Sequence, residues 1–127
     1  MTGEDGTKRI RVMHVDDHPD FRDLMDVLLN GQSDMKLVAQ AGSLAEARTH
    51  ATRFECDVAV LDLGLPDGDG VDLIADLRRA DPDVRVLILS ATLDAASFER
   101  ATDADEIMDK LAPLDEILGT VRRLGNA

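Results

Sequence analysis

The sequence contains no Trp and no Tyr, and its only aromatic side chains besides histidine are three Phe. A core must therefore be built from Leu, Val, Ile and Ala. There is one cysteine, Cys56, which excludes an intramolecular disulfide and a cysteine-based zinc site. It reads as a small side chain near a strand start rather than a reactive thiol. No apolar run approaches transmembrane length, and the polar opening Met1–Lys8 has no signal-peptide pattern, so a cytoplasmic chain is expected, without membrane contact. Positive charge is scarce as well. Fourteen Lys and Arg face 26 Asp and Glu, for a formal charge of −12. Such a chain repels phosphate backbones, which argues against nucleic-acid binding by this domain, while the same charge suits a site that collects a divalent cation. Most of it is solvated surface. At 127 residues, without a repeat or an internal linker, the chain is one domain of ordinary size.

What is present is a regular alternation. After an opening expected to be disordered (1–8), Ile10–Val15 has the composition of a first strand and ends in Asp16-Asp17. Pro19 leads into Phe21, Leu24, Met25, Leu28 and Leu29, the spacing of one helix face, closed by Asn30-Gly31 as an αL-tolerant pair. Lys36–Ala41 follows as a short strand. Ser43-Leu44-Ala45-Glu46 is a capping box, and Leu44, Ala47, Ala51 and Phe54 form the expected inner face of the second helix. Val58–Leu61 has the length and β-branched content of a buried strand, and it ends in Asp62, before the turn Leu65-Pro66-Asp67-Gly68. Asp69 is placed to cap a third helix with Val71, Ile74 and Leu77 inward, stopped by Asp81-Pro82. Val84–Leu89 is the most apolar strand and runs into Ser90. A weakly patterned helix with Ala95, Ala96, Phe98 and Ala101 comes next, and then Glu106–Asp109, assigned to a fifth strand mainly from the alternation. Lys110 follows. The last helix carries Leu114, Ile117, Leu118, Val121 and Leu124 inward and is closed by Gly125. Five strands alternating with five helices mean an α/β fold, a doubly wound parallel sheet covered on both faces.

The strand ends gather the chemistry. The first strand delivers Asp16 and Asp17, the third Asp62, the fourth Ser90 and the fifth Lys110. In an open α/β sheet those positions share one edge, where ligands bind. Three carboxylates together repel unless a cation neutralises them, and an all-oxygen set with few fixed partners suits Mg²⁺. Asp62 could then attack a phosphoryl group as a carboxylate nucleophile, with Lys110 and the cation offsetting charge on the phosphoryl oxygens and Ser90 donating a hydrogen bond. Any one of these residues alone means little, since an Asp at a strand end is commonly a cap or turn former. The set from four strand ends is the signal.

Val15-Asp16-Asp17-His18-Pro19, Leu61-Asp62-Leu63-Gly64-Leu65-Pro66-Asp67-Gly68-Asp69-Gly70, Ser90-Ala91 and Lys110 resemble, in order and over about Arg9–Leu124, the receiver domain of two-component response regulators. The Asp-Asp-His-Pro opening is most similar to the LuxR-type, or NarL-FixJ, subgroup. The resemblance implies a flavodoxin-like sheet in the order 2-1-3-4-5, with residues 9–124 as the receiver and 125–127 as a short C-terminal tail, no output domain following in this sequence. It implies Asp62 as phosphoacceptor, Asp17, Asp62 and the Gly64 carbonyl as Mg²⁺ ligands, Asp16 acting through water, Ser90 as the switch hydroxyl and Lys110 as the phosphate-contacting lysine. The phosphodonor would be a sensor histidine kinase or phosphotransfer protein. A homodimer or a downstream protein would use the face formed by the fourth helix, fifth strand and fifth helix. Such a domain is a signalling switch that catalyses only its own phosphorylation and dephosphorylation.

The sequence departs from the family pattern in three places. Ile107 stands where the family has an inward-turning Tyr or Phe, so the switch role of that position is altered or absent. The stretch from Ser90 to Lys110, which holds the fourth helix, is short, and Asp103 and Glu106 make it more acidic. No output domain follows Leu124. The first two departures motivate an alternative, a receiver-like interaction module whose switching is atypical or independent of phosphorylation. A third class, an aspartyl phosphatase, would carry an acid/base Asp two residues after Asp62, where Gly64 stands. His18 is read as structural or supporting, and His14 as a core or boundary residue.

Overall fold

A computed structural model describes residues 8–127. The expected tail, apart from Lys8, lies outside the described residues. The elements run β1 (Ile10–Val15), α1 (Pro19–Asn30), β2 (Met35–Ala41), α2 (Leu44–Ala51), β3 (Val58–Leu61), the two-residue pieces β4 (Gly64–Leu65) and β5 (Gly68–Asp69), α3 (Val71–Ala80), β6 (Arg85–Ser90), α4 (Ala95–Arg100), β7 (Glu106–Asp109) and α5 (Leu114–Gly125). The main sheet has five strands in the order β2-β1-β3-β6-β7, and every pairing in it is parallel. Because β4 and β5 form a separate small antiparallel ribbon, this is the expected 2-1-3-4-5 order.

The interior strands explain the apolar runs. All four residues of β3 are buried, since helices cover both faces of a parallel sheet. Alternate residues feed two aliphatic layers. Met13, Val15, Ala59, Leu61, Val86 and Ile88 pack with Leu73, Ile74 and Leu77 of α3 and Ala47 of α2. Val12, Val58, Val60, Leu87 and Leu89 pack on the other side with Met25 and Leu29 of α1 and Ile117, Val121 and Leu124 of α5. At the edge, β2 carries one extra residue, Val38, as a bulge opposite Val12/Met13. The bulge turns both Val38 and Ala39 toward the first layer.

Several local expectations are corrected. Gly31 has φ −75° and ψ −13°, so α1 ends without a left-handed residue. Gly125 is the last residue of α5, with Asn126 beyond it as the cap. Phe54, Leu24, Leu114 and Phe98 are exposed. Each lies at the rim of a stripe or beyond its helix, where the 3.6-residue period has rotated away from the sheet. Within α4, Ser97 is buried while Ala95 and Ala96 are exposed. The capping box at α2 also reaches one residue further back: Ser43 Oγ accepts from the Glu46 amide at 3.1 Å, while Glu46 Oε1 accepts from the Gly42 amide at 2.7 Å.

Candidate functional site

Asp16 lies one residue beyond β1 and Asp62 one residue beyond β3, and these strands are neighbours, with Val15 paired to Leu61. The Asp62 amide donates to the Val15 carbonyl at 2.9 Å, extending the ladder by one rung and fixing both carboxylates at the carboxyl edge. Lys110 follows β7 and donates its amide to the Ser90 carbonyl at 2.9 Å. Its ammonium crosses the edge to within 2.7 Å of Asp16 Oδ2 and 3.6 Å of Asp62 Oδ2. Phe21 of α1 supports it, with Nζ 4.7 Å from the ring centroid, a cation–π contact. Asp16 and Asp62 are buried beside the Lys110 ammonium, and Ser90, also buried, ends β6 at the same edge of the sheet.

The loop after Asp62 is shaped by two glycines. A Cβ on Gly70 would come within 2.1 Å of the Asp62 carbonyl oxygen, so only glycine lets the chain return past the strand end. Gly68 has φ +150° and lies against Leu44. Just before Gly68, Asp67 accepts from the Leu44 and Ala45 amides at 2.8 and 3.0 Å, which caps α2 and ties the loop to that helix. Asp69 Oδ1 accepts from the Val71 amide at 3.0 Å, while its other oxygen is bound by Arg100 of α4. Asp69 therefore joins the expected start of α3 to the fourth helix.

The acids do not titrate alike. Burial alone would push Asp16 upward, but hydrogen bonds from Lys110 and His18 outweigh it and hold its carboxyl below the usual range. Asp62 is pushed up, first by burial and then by the nearby Asp16 charge, with Lys110 offsetting only part of this. A carboxylate held this way favours anything that brings positive charge to the edge. Asp17 Oδ1 is buried with no hydrogen-bond partner, an orphaned acceptor aimed into the cluster. Such an oxygen is costly in a dry setting and suits a cation, so the residues present fit a divalent ion.

His18, supporting by its sequence position, sets a ring nitrogen against the acidic cluster while most of its side chain stays exposed. Its amide donates to Asp16 Oδ1 at 2.9 Å, and its Nδ1 lies 3.0 Å from Asp16 Oδ1, 3.2 Å from Asp17 Oδ1, 4.0 Å from Asp62 Oδ2 and 3.0 Å from Lys110 Nζ. One ligand atom each from Asp16, Asp17, His18 and Asp62 lies within 4.8 Å of all the others. The signal available in the sequence was only adjacency to the acidic pair. His14, by contrast, is the expected core residue. It is buried edge-on to Phe21 and accepts from Gln40.

Ser90 faces its own loop. Its hydroxyl donates to the Thr92 carbonyl at 2.9 Å and accepts from the Thr92 amide at 3.2 Å. The Ser97 hydroxyl of α4 lies 3.0 Å from the same carbonyl and 2.9 Å from Asp94 Oδ1, two acceptors for its one proton, a contact that nothing in the sequence pattern marked. Ile107, paired with Ile88, is half-buried and packs against the first aliphatic layer. Two acids of the connection to β7 are paired: Asp105 meets Arg78 at 3.0 Å and the Val86 amide at 2.7 Å, and Glu106 meets Arg123 at 3.0 Å, while Asp103 is exposed. With six residues, α4 is as short as the Ser90–Lys110 spacing suggested. Cys56 is buried and its thiol is pushed up to about 12 by desolvation, which makes it inert.

Comparison with known proteins agrees with this geometry. The family model for the response regulator receiver domain matches residues 12–122. The chain is 42% identical over 91 residues to the DNA-binding transcriptional activator DevR/DosR of Mycobacterium tuberculosis, covering 71% of this chain and 42% of that protein. It is 31% identical over 116 residues to the response regulator protein VraR of Staphylococcus aureus, covering 90% of this chain and 56% of that one. The chain thus spans about half the length of the curated relatives it matches. The signal receiver domain of the putative response regulator NarL from Mycobacterium tuberculosis superposes with a TM-score of 0.86 at 29% identity, covering 94% of this chain and 98% of that one. These likenesses fall in the NarL/LuxR group that Asp16-Asp17-His18-Pro19 pointed to. Sheet order, acidic edge, lysine and family match converge, and the chain belongs to the response regulator receiver domain family.

Proposed function

We propose that Asp62 is the phosphoacceptor of a two-component switch, with Asp17, Asp62 and the Gly64 carbonyl holding Mg²⁺ and Asp16 acting on it through water. The single observation that carries this reading is the meeting of Asp16, Asp62 and Lys110 at one buried edge, with an orphaned Asp17 oxygen beside them. A carboxylate oxygen of Asp62 attacks phosphorus; the bond from phosphorus to the donor nitrogen breaks, and its electron pair leaves with the imidazole of a kinase or phosphotransfer phosphohistidine. A cation held by these residues would offset charge on the phosphoryl oxygens. Lys110 already stands 3.6 Å from Asp62 Oδ2, and its ammonium can pass to the new phosphoryl group. Ser90 must release the Thr92 carbonyl to donate to that group, and Ser97, bound to the same carbonyl, would feel the release. Ile107 cannot act as a swinging ring, so this hydroxyl relay is the route by which α4 learns the state of Asp62. The partner surface is the face of α4, β7 and α5, the donor meets the domain in the cytoplasm, and the domain itself does not contact nucleic acid. No helix among the described residues is long and apolar enough to cross a membrane.

The test is incubation with Mg²⁺ and a small phosphodonor such as acetyl phosphate, read by intact mass. One phosphoryl adduct, cleaved by hydroxylamine as an acyl phosphate is, is expected for the parent chain. EDTA and Asp62→Asn should each remove it. Repeated turnover on phosphate esters, or an adduct insensitive to EDTA, would overturn the reading.

A further inference from the structure

We propose that His18 is a nitrogen ligand of the cation site, so that this receiver binds later first-row divalent ions preferentially over Mg²⁺. The inference rests on the phosphoacceptor reading only for the location of the site. Around an octahedral ion with ligands at about 2.1 Å, neighbouring donor atoms lie ~3.0 Å apart and opposite ones ~4.2 Å. His18 Nδ1 is 3.2 Å from Asp17 Oδ1 and 4.0 Å from Asp62 Oδ2, the separations of a neighbouring and an opposite ligand. Nδ1 is also the ring nitrogen that faces the cluster: it lies 3.0 Å from the Asp16 carboxylate, which only accepts, and 3.0 Å from the Lys110 ammonium, which only donates. With the ring proton on Nε2, the Nδ1 lone pair would coordinate a cation held there.

The ring is held in place through the backbone. The His18 amide is bound to the buried Asp16 carboxylate at 2.9 Å, which fixes the turn after β1, and Pro19 then locks the start of α1. His18 is therefore presented to Asp17 and Asp62 by rigid elements, not by a loose loop. Carboxylate and carbonyl oxygens alone suit Mg²⁺, whereas an imidazole nitrogen adds affinity for ions such as Ni²⁺ and little for Mg²⁺. Asp17 Oδ1, buried and without a hydrogen-bond partner, is the oxygen that would share the ion with Nδ1.

The experiment is calorimetric titration of the tag-free protein with Mg²⁺ and, separately, Ni²⁺, for the parent chain, His18→Ala and Asp17→Asn. Asp17→Asn defines binding elsewhere, including at His50. The expected result is that His18→Ala weakens Ni²⁺ binding by about tenfold or more and changes Mg²⁺ binding by less than about threefold. An unchanged Ni²⁺ to Mg²⁺ ratio would overturn the proposal, as would tighter Mg²⁺ binding in His18→Ala, which would make the ring a plug and not a ligand. Intact-mass measurement of phosphorylation in the same His18→Ala protein separates the two claims. An adduct formed with an unchanged metal ratio removes only the ligand role, and an absent adduct in the parent chain removes the phosphoacceptor reading itself.

Discussion

Two buried ionisable residues, His14 in β1 and Asp62 just beyond β3, respond to burial with opposite signs. His14 is enclosed by β1, Phe21 and Gln40, and desolvation lowers its pKa from 6.5 to about 4. The unfolded chain therefore binds a proton near pH 6.5 that the folded chain refuses until about pH 4. Stability from this residue is complete above the unfolded value and declines as pH falls between the two, by about 3 kcal/mol in all. Proton NMR should find the His14 ring titrating below pH ~5, and an ordinary histidine midpoint would contradict the packing. With no Trp or Tyr to report unfolding, circular dichroism in urea is the way to follow the loss. Asp62 has the other sign. Its folded pKa is raised by burial and by Asp16, so the ionised form is disfavoured on folding and the metal-free protein loses stability as pH rises through the carboxylate range. Asp62→Asn should accordingly raise the melting temperature at neutral pH in EDTA. A drop would mean that the Lys110 contact outweighs the repulsion.

The elements show which parts of the fold could be read in advance. Continuous apolar runs, which a doubly covered sheet needs, mark the inner strands at Val58–Leu61 and within Arg85–Ser90, whereas β7 is legible mainly from the alternation of elements. The same argument brought Asp16, Asp62, Ser90 and Lys110 to one edge without coordinates, since side chains one step beyond parallel strands must share that edge. What pattern could not supply were contacts set by three-dimensional closure: Asp67 capping α2 from a distant turn, Ser97 reaching the Thr92 carbonyl, and His18 folding back over the acids. None of these has a period, and each joins residues whose pairing depends on loop direction. Gly70 is the sharpest case, for its need is visible only as a 2.1 Å approach to the Asp62 carbonyl. Gly70→Ala should displace the Asp62 loop, cost about 1–3 kcal/mol in urea unfolding and depress phosphorylation with it. Near-parent stability in that variant would show that the loop can shift without cost.

At the scale of the whole molecule, a formal charge of −12 sits on a small domain whose most buried acids converge at one edge. General screening by salt and specific filling of the edge are separable. Mg²⁺ at ten times its dissociation constant should stabilise the fold by about 1.4 kcal/mol, roughly 5 °C in melting temperature. NaCl of matched ionic strength should give less, and Asp17→Asn should reduce the Mg²⁺ response to the salt response. Equal shifts with both salts would leave no specific cation site. Asp62 is one carboxylate among several within reach of a phosphodonor. Borohydride reduction after phosphorylation converts an acyl phosphate to the alcohol, and peptide mapping then locates the modified residue. Homoserine is expected at position 62 alone, dependent on Mg²⁺; modification at Asp16 or Asp17, or none anywhere, would contradict Asp62 as the phosphoacceptor.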